Sequence, residues 1–87
     1  MKIRIDPHTT KRAEERGATT DEIHDVIENG FTIPAKHGRS WKAKVYDFNT
    51  YRLGRYYEHK RIEVFYVIEQ ESIIPVTVYV FYGKWER

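Results

Sequence analysis

Residues 6–30 read DPHTTKRAEERGATTDEIHDVIENG, and this stretch decides the first half of the fold. Asp6 suits the N-cap of a helix, and Pro7 suits the first helical position, where its missing N–H would have no partner. Gly17 suits the left-handed residue that commonly follows a helix. The pattern therefore predicts a first helix over residues 7–16.

A second helix is predicted immediately afterwards. Thr19 and Glu22 have the spacing of a capping box, in which each side chain accepts a hydrogen bond from the other residue's backbone N–H. Gly30 is expected to lie just beyond the helix end. The apolar residues that recur at the spacing of one helix face are Ile23, Val26 and Ile27. Two short helices with separate caps predict a helical hairpin.

The rest of the chain has the patterns of β-strands. Residues 2–6 alternate apolar and charged side chains, as a short half-buried strand does. Pro34 confines a short strand over residues 31–35 to a sheet edge. Four further strands, rich in β-branched and aromatic residues, are predicted at 41–48, 51–57, 62–69 and 75–82. Turns of hairpin length are expected at residues 49–50 and 58–60.

These elements predict the fold class. Sequential hairpins make a sheet mainly antiparallel, and the last two strands, apolar on both faces, are expected near its centre. We predict an α+β fold in which two N-terminal helices pack on one face of a mainly antiparallel sheet of about four to five strands. The opposite face is left partly open, so a ligand can bind there.

Length and composition exclude several classes of protein. The 87 residues predict one domain, 1–87. The chain has no cysteine, which excludes disulfide scaffolds and thiolate chemistry. Its histidines lack metal-ligand spacing and it has no phosphate-binding glycine loop, so no metal and no cofactor is expected. No apolar run approaches the ~18 residues of a membrane span, and no signal-peptide core is present. These absences predict a cytoplasmic protein.

The charge is unevenly distributed along the chain. The net charge is +2, but residues 18–33 carry −4 and residues 34–61 carry +6. A concentrated basic block in a nearly neutral protein favours a surface that binds polyanions. An alternative interpretation is an ordinary solvated face of lysines and arginines.

The first helix carries a stripe of polar residues. His8, Arg12, Glu15 and Arg16 fall along one side of a helix over residues 7–16. Histidine can accept a proton near neutral pH, and arginine matches phosphate oxygens with two parallel hydrogen bonds. This combination suits metal-independent RNA cleavage, with His8 or Glu15 transferring protons. The alternative is a solvated helix with internal ion pairs, in which Asp6 or Glu15 neutralises Arg12.

The basic block also contains many aromatic residues. Basic side chains attract phosphates, and aromatic rings stack on unpaired bases. The basic residues predicted to hold RNA are Lys42, Lys44, Arg52, Arg55 and Arg61. We expect Trp41, Phe48 and Tyr57 in the core. The alternative is that the charges only protect sheet edges against aggregation.

The last predicted strand has two different faces. Val76, Val78 and Val80 alternate with Thr77 and Tyr79. The valine face is expected to meet the helices, which leaves Thr77 and Tyr79 on the open face. Tyr79 is therefore a further candidate catalytic residue, and Thr77 a further RNA-binding residue.

The first helix and the last strand together carry a family resemblance. His8, Arg12 and the run Glu15-Arg16-Gly17, with a terminal Thr77-Val78-Tyr79, resemble a small bacterial family of uncharacterised domains. That family looks related to the BrnT toxins and through them to the RelE/ParE toxin superfamily. A departure is Thr9, where the family usually has a small residue.

The resemblance implies a function as well as a fold. It implies the toxin of a toxin–antitoxin pair, a metal-independent endoribonuclease that acts on mRNA, on the ribosome or free. It also implies a cognate antitoxin protein as partner. The alternative function is a non-catalytic module of the same fold that binds protein or RNA without turnover.

Overall fold

The computed structural model describes residues 1–86, and its strands form one open five-stranded sheet. The elements are β1 Lys2–Ile3, α1 Pro7–Arg16, α2 Thr20–Asn29, β2 Phe31–Thr32, β3 Ser40–Arg52, β4 Arg55–Glu69 and β5 Ser72–Gly83. The strand order across the sheet is β1-β5-β4-β3-β2. Among the described strands, β1 and β5 pair in parallel and the other neighbouring pairs are antiparallel. The predicted α+β class is confirmed, and β2 lies at the predicted sheet edge.

Both helices have the caps that the sequence predicted. The Asp6 carboxylate accepts a 2.7 Å hydrogen bond from the backbone N–H of His8. Gly17 has a φ of 102°, so it takes the left-handed conformation after α1. Both bonds of the capping box between Thr19 and Glu22 are present. The predicted boundaries of α1 are therefore confirmed.

The core lies between α2 and the middle of the sheet. Ile23, Val26 and Ile27 of α2 are buried, as predicted, and pack with Ile62 and Val64 of β4. The first helix contributes Ala13 as its one buried residue within the described part of the chain. Burial of apolar area therefore comes mainly from α2, and α1 keeps a polar surface.

The hairpin turns differ from the prediction. β3 continues to Arg52 through an irregularity between Asp47 and Thr50, so the predicted turn at residues 49–50 is wrong. The chain turns at Leu53 and Gly54, whose φ angles are 51° and 82°. β4 runs without a break from Arg55, so the predicted turn at residues 58–60 is also wrong. Asn49 has a φ of 48°, a conformation that asparagine often takes in turns, but here it lies at the irregularity within β3.

The last strand largely has the predicted faces. Val78 is buried in the core and Val80 packs against it, whereas Tyr79 and Phe81 are exposed on the other face. Val76 departs from the prediction, because it lies at an irregularity in the β4–β5 pairing and stays 45% exposed.

Candidate nucleic-acid interface

The polar stripe of α1 faces the outer edge of β5. His8, Arg12 and Arg16 follow each other at intervals of four residues, which stacks their side chains along one helix face. Together with Thr9 and residues 76–78 they line a cavity of about 140 Å³. We call this cavity the α1–β5 cleft. It contains three of the predicted catalytic residues and the predicted RNA-binding Thr77.

Arg16 holds the cleft together. Its guanidinium donates a 2.7 Å hydrogen bond to the Val78 carbonyl and lies 5.5 Å from the centre of the Tyr79 ring. The Arg16 carbonyl accepts a 2.8 Å hydrogen bond from the Tyr82 hydroxyl. Because the guanidinium and the backbone carbonyl of Arg16 both form hydrogen bonds with β5, the guanidinium is held in place beside the predicted catalytic Tyr79.

His8 and Arg12 keep free, exposed side chains. Within residues 1–86, no carboxylate forms an ion pair with either of them or with Arg16. The Asp6 carboxylate caps α1 instead. Glu15 is exposed and does not line the cleft, although its backbone carbonyl accepts a 3.0 Å bond from Arg52. The cleft therefore concentrates positive charge that a bound anion can neutralise.

The lysines of the basic block have structural partners. Lys42 donates a 2.8 Å hydrogen bond to the Ile27 carbonyl, and Lys44 forms a 2.6 Å ion pair with Asp25. Hydrogen bonds from Lys44, then from Tyr46 and Asn29, lower the pKa of Asp25 to about 2. Lys42 and Lys44 thus join the sheet to the acidic α2, and their role in RNA binding stays a prediction.

The predicted RNA-binding arginines are spread over the surface. Arg52 lies 4.8 Å from the centre of the Tyr82 ring, near the end of α1. Arg55 is exposed next to the turn of the β3–β4 hairpin. Arg61 lies on the open face, where its Nε donates a 2.8 Å bond to Glu63. The structure does not gather these three side chains into one site.

The open face carries a row of aromatic side chains. Trp41 stacks on Phe65 with ring centres 4.5 Å apart, and Phe65 meets Tyr79 edge to face at 6.0 Å. Tyr79 in turn lies 6.2 Å from Phe81. These four residues form the aromatic row, which crosses β3, β4 and β5 and reaches Arg16 at the cleft. The expectation that Trp41 lies in the core is wrong, because Trp41 is only half-buried and lies beside Phe65 on the open face.

A comparison with family models identifies the kind of domain. The model of DUF4258, described as a domain of unknown function, matches residues 5–80. The chain belongs to the DUF4258 family. Comparison with curated proteins and with solved structures gives no significant match. The matched residues include α1 and the part of β5 that carries Thr77 and Tyr79.

Two features are absent from the described part of the DUF4258 domain. Within residues 1–86, no three His, Asp or Glu side chains are grouped to hold a metal ion. The same residues include no helix with the length and apolarity to cross a membrane. The cleft offers one imidazole, two guanidinium groups and two threonine hydroxyls, which can bind a phosphodiester and move one proton.

Several residues at these surfaces were not among the predicted site residues. Phe65 and Phe81 were not selected, since aromatic residues in a central strand are usually core. The loop over residues 33–39, whose basic side chains border the aromatic row at Trp41, was not selected either. The signal that could have found this region is the cluster of basic residue types Lys36, His37 and Arg39, which ends two positions before Trp41.

Proposed function

We propose that this DUF4258 domain is a metal-independent endoribonuclease that cleaves mRNA and serves as the toxin of a toxin–antitoxin pair. The observation that supports it best is the α1–β5 cleft, where His8, Arg12 and Arg16 meet β5 and no carboxylate among residues 1–86 neutralises them. The proposal includes kinship with the BrnT and RelE/ParE toxins, on the strength of the first-helix motif. It also includes a cognate antitoxin protein and a cytoplasmic site of action.

The cleft residues have separate roles in the proposed reaction. The His8 imidazole removes the proton of a ribose 2′-hydroxyl, and the 2′-oxygen attacks the adjacent phosphorus. Arg12 and Arg16 stabilise the negative charge that develops on the phosphate oxygens. The bond from phosphorus to the 5′-oxygen then breaks and leaves a 2′,3′-cyclic phosphate. The leaving 5′-oxygen takes a proton from Tyr79, which lies beside Arg16, or from the more distant Glu15.

A non-catalytic module that binds RNA or protein is the second candidate. One observation favours it. The cleft lining contains a single imidazole, that of His8, and neither a carboxyl group nor a tyrosine, whereas general acid–base cleavage uses two proton-transfer groups. If neither Tyr79 nor Glu15 supplies the second group, the site holds a phosphodiester without cutting it.

Induced expression in bacteria tests the proposal. Arg12→Ala removes an exposed cation of the cleft and leaves the core intact, and Lys11→Ala is the matched control because Lys11 is exposed on the same helix and does not line the cleft. We expect the parent and Lys11→Ala to arrest growth and to produce RNA fragments with 5′-hydroxyl ends. Arg12→Ala should lose about 10²–10³-fold in cleavage rate.

The other outcomes are equally informative. Normal growth and intact RNA with the folded parent protein would reject the nuclease and leave the binding module. Growth arrest by Arg12→Ala at the parent level would keep the toxin but remove Arg12 from its mechanism. His8→Ala should lower the cleavage rate by roughly 10²–10⁴-fold, since His8 is the one imidazole of the cleft and the proposed general base.

A further inference from the structure

A second cavity lies where the loop before β3 meets the open face of the sheet. It has a volume of about 550 Å³ and is lined by Lys36, His37, Arg39, Trp41 and Phe65, together with residues 34–35. We call it the Trp41 groove. The loop turns with positive φ angles at His37 and Gly38, and the Arg39 N–H donates to the Lys36 carbonyl at 3.4 Å. This tight turn places two cations at the rim of an aromatic surface.

The aromatic floor of the groove is held rigidly. The indole N–H of Trp41 donates a 3.2 Å hydrogen bond to one carboxylate oxygen of Glu63, and Arg61 donates a 2.8 Å bond to the other. Glu63 is only 8% exposed, and its two bonds satisfy the buried carboxylate. The stack of Trp41 on Phe65 fixes the same ring from a second side. A ligand that stacks there does not have to order the indole, which lowers the entropic cost of binding.

The basic side chains at the rim are available to a ligand. Within residues 1–86, Lys36, His37 and Arg39 form no ion pair, and all three are exposed. The neighbouring Lys42 and Lys44, by contrast, bond to α2 on the other face of the sheet. The groove therefore joins an apolar stacking surface to unneutralised positive charge, and a nucleotide needs both.

We propose that the Trp41 groove binds an unpaired base of single-stranded RNA, which stacks on Trp41 while Lys36 and Arg39 hold its phosphate. The choice of RNA as ligand rests on the function proposed for the α1–β5 cleft. The aromatic row leads from the groove through Phe65 and Tyr79 to Arg16. Two strand spacings separate β3 from β5, or about 10 Å, which about three stacked nucleotides span. The groove thus selects RNA that is unpaired a few nucleotides from the phosphate in the cleft.

Tryptophan fluorescence tests the proposal without any cleavage. Trp85→Phe leaves Trp41 as the single tryptophan. The probe is a 2′-O-methylated hexaadenylate, which stacks like RNA but lacks the hydroxyl needed for cleavage. We expect saturable quenching of Trp41 that Lys36→Ala/Arg39→Ala weakens at least ~10-fold in affinity. Lys2→Ala/Lys84→Ala removes the same charge from two exposed positions outside the groove and should change the affinity less than ~2-fold.

Further binding measurements, with other ligands and with a variant of the cleft, identify the ligand of the groove. A duplex of the same length should bind the groove at least ~10-fold more weakly than the single strand, because its bases are already stacked. Equal affinity for AMP and for the hexamer would overturn the proposal in favour of a free-nucleotide pocket. Binding without quenching of Trp41, or no response to the loss of Lys36 and Arg39, would also overturn it. Arg12→Ala should keep the quenching, so loss of cleavage and loss of groove binding are distinguished.

Discussion

Lys60 extends from β4 to both helices, and its replacement by methionine tests how the two layers are joined. Its ammonium donates a 2.8 Å hydrogen bond to the Gly17 carbonyl at the end of α1. The same ammonium forms a 2.9 Å ion pair with Glu22 of α2, and the two side chains are only 12% and 21% exposed. Lys60→Met keeps most of the apolar stem and removes all of these polar contacts.

The expected cost follows from what each partner keeps. The Gly17 carbonyl loses a charged donor, and such hydrogen bonds contribute about 1.5–3 kcal/mol. Glu22 retains its capping-box bond from the Thr19 N–H and some contact with water. The destabilisation from breaking the Lys60–Glu22 ion pair is therefore smaller than the ~3–5 kcal/mol that breaking a fully buried pair costs. We expect the free energy of unfolding to fall by about 2–3 kcal/mol, which lowers Tm by roughly 10–20 °C in a domain of this size.

Urea and thermal unfolding monitored by circular dichroism measure this effect. Lys84→Met is the matched control, because Lys84 is exposed, and it should stay within about ±0.5 kcal/mol of the parent. Glu22→Gln added to Lys60→Met should recover part of the loss, since glutamine can still complete the capping box. A change below about 0.5 kcal/mol for Lys60→Met would refute the view that this lysine joins the layers.

Three further predictions concern stability. The pKa of Asp25 is about 2 in the fold against 3.8 ordinarily, so the stability that its ionised carboxylate contributes is complete above about pH 4 and is lost as the pH falls toward 2. Asp25→Asn should therefore flatten the dependence of Tm on pH over that window. Gly17→Ala should destabilise by more than ~1 kcal/mol and by more than Gly54→Ala, since both have positive φ but only at Gly17 would the new Cβ collide with the Tyr82 hydroxyl; equal losses in urea melts would contradict this. Leu53→Asn should raise the free energy of unfolding by ~0.5–1 kcal/mol, because Leu53 is 95% exposed with a φ of 51° and asparagine tolerates that conformation better; a lowered urea midpoint would count against it.

Local chemistry made the helical half of the fold predictable. The caps at Asp6 and Gly17 and the capping box at Thr19 act over a few residues, so the sequence alone contains the interaction. The positions of the hairpin turns were harder to predict. Asn49 favours positive φ in a turn and in a strand irregularity alike, and nothing local distinguishes the two. The observed turn uses Leu53, a residue that turn chemistry disfavours at positive φ.

The candidate sites were predictable only where they depend on one element. Helical spacing alone brought His8, Arg12 and Arg16 together. Lys44 was expected on a binding surface because its partner Asp25, 19 residues away, becomes a neighbour only when α2 crosses the sheet. The Trp41 groove depends on pairing between β3 and β4 and on a loop conformation, which no single stretch of sequence contains.

The position of β5 within the chain determines when the α1–β5 cleft can form. Arg16 precedes its hydrogen-bond partner Val78 by 62 residues, and α2, β2, β3 and β4 are all synthesised between them. During translation, α1 leaves the ribosome long before the strand that completes the cleft exists. The cationic surface of α1 therefore has no catalytic geometry in the nascent chain, and any activity of the cleft begins only once synthesis has passed β5. A partner that recognised only the hairpin of α1 and α2 could bind the nascent chain before β5 is complete.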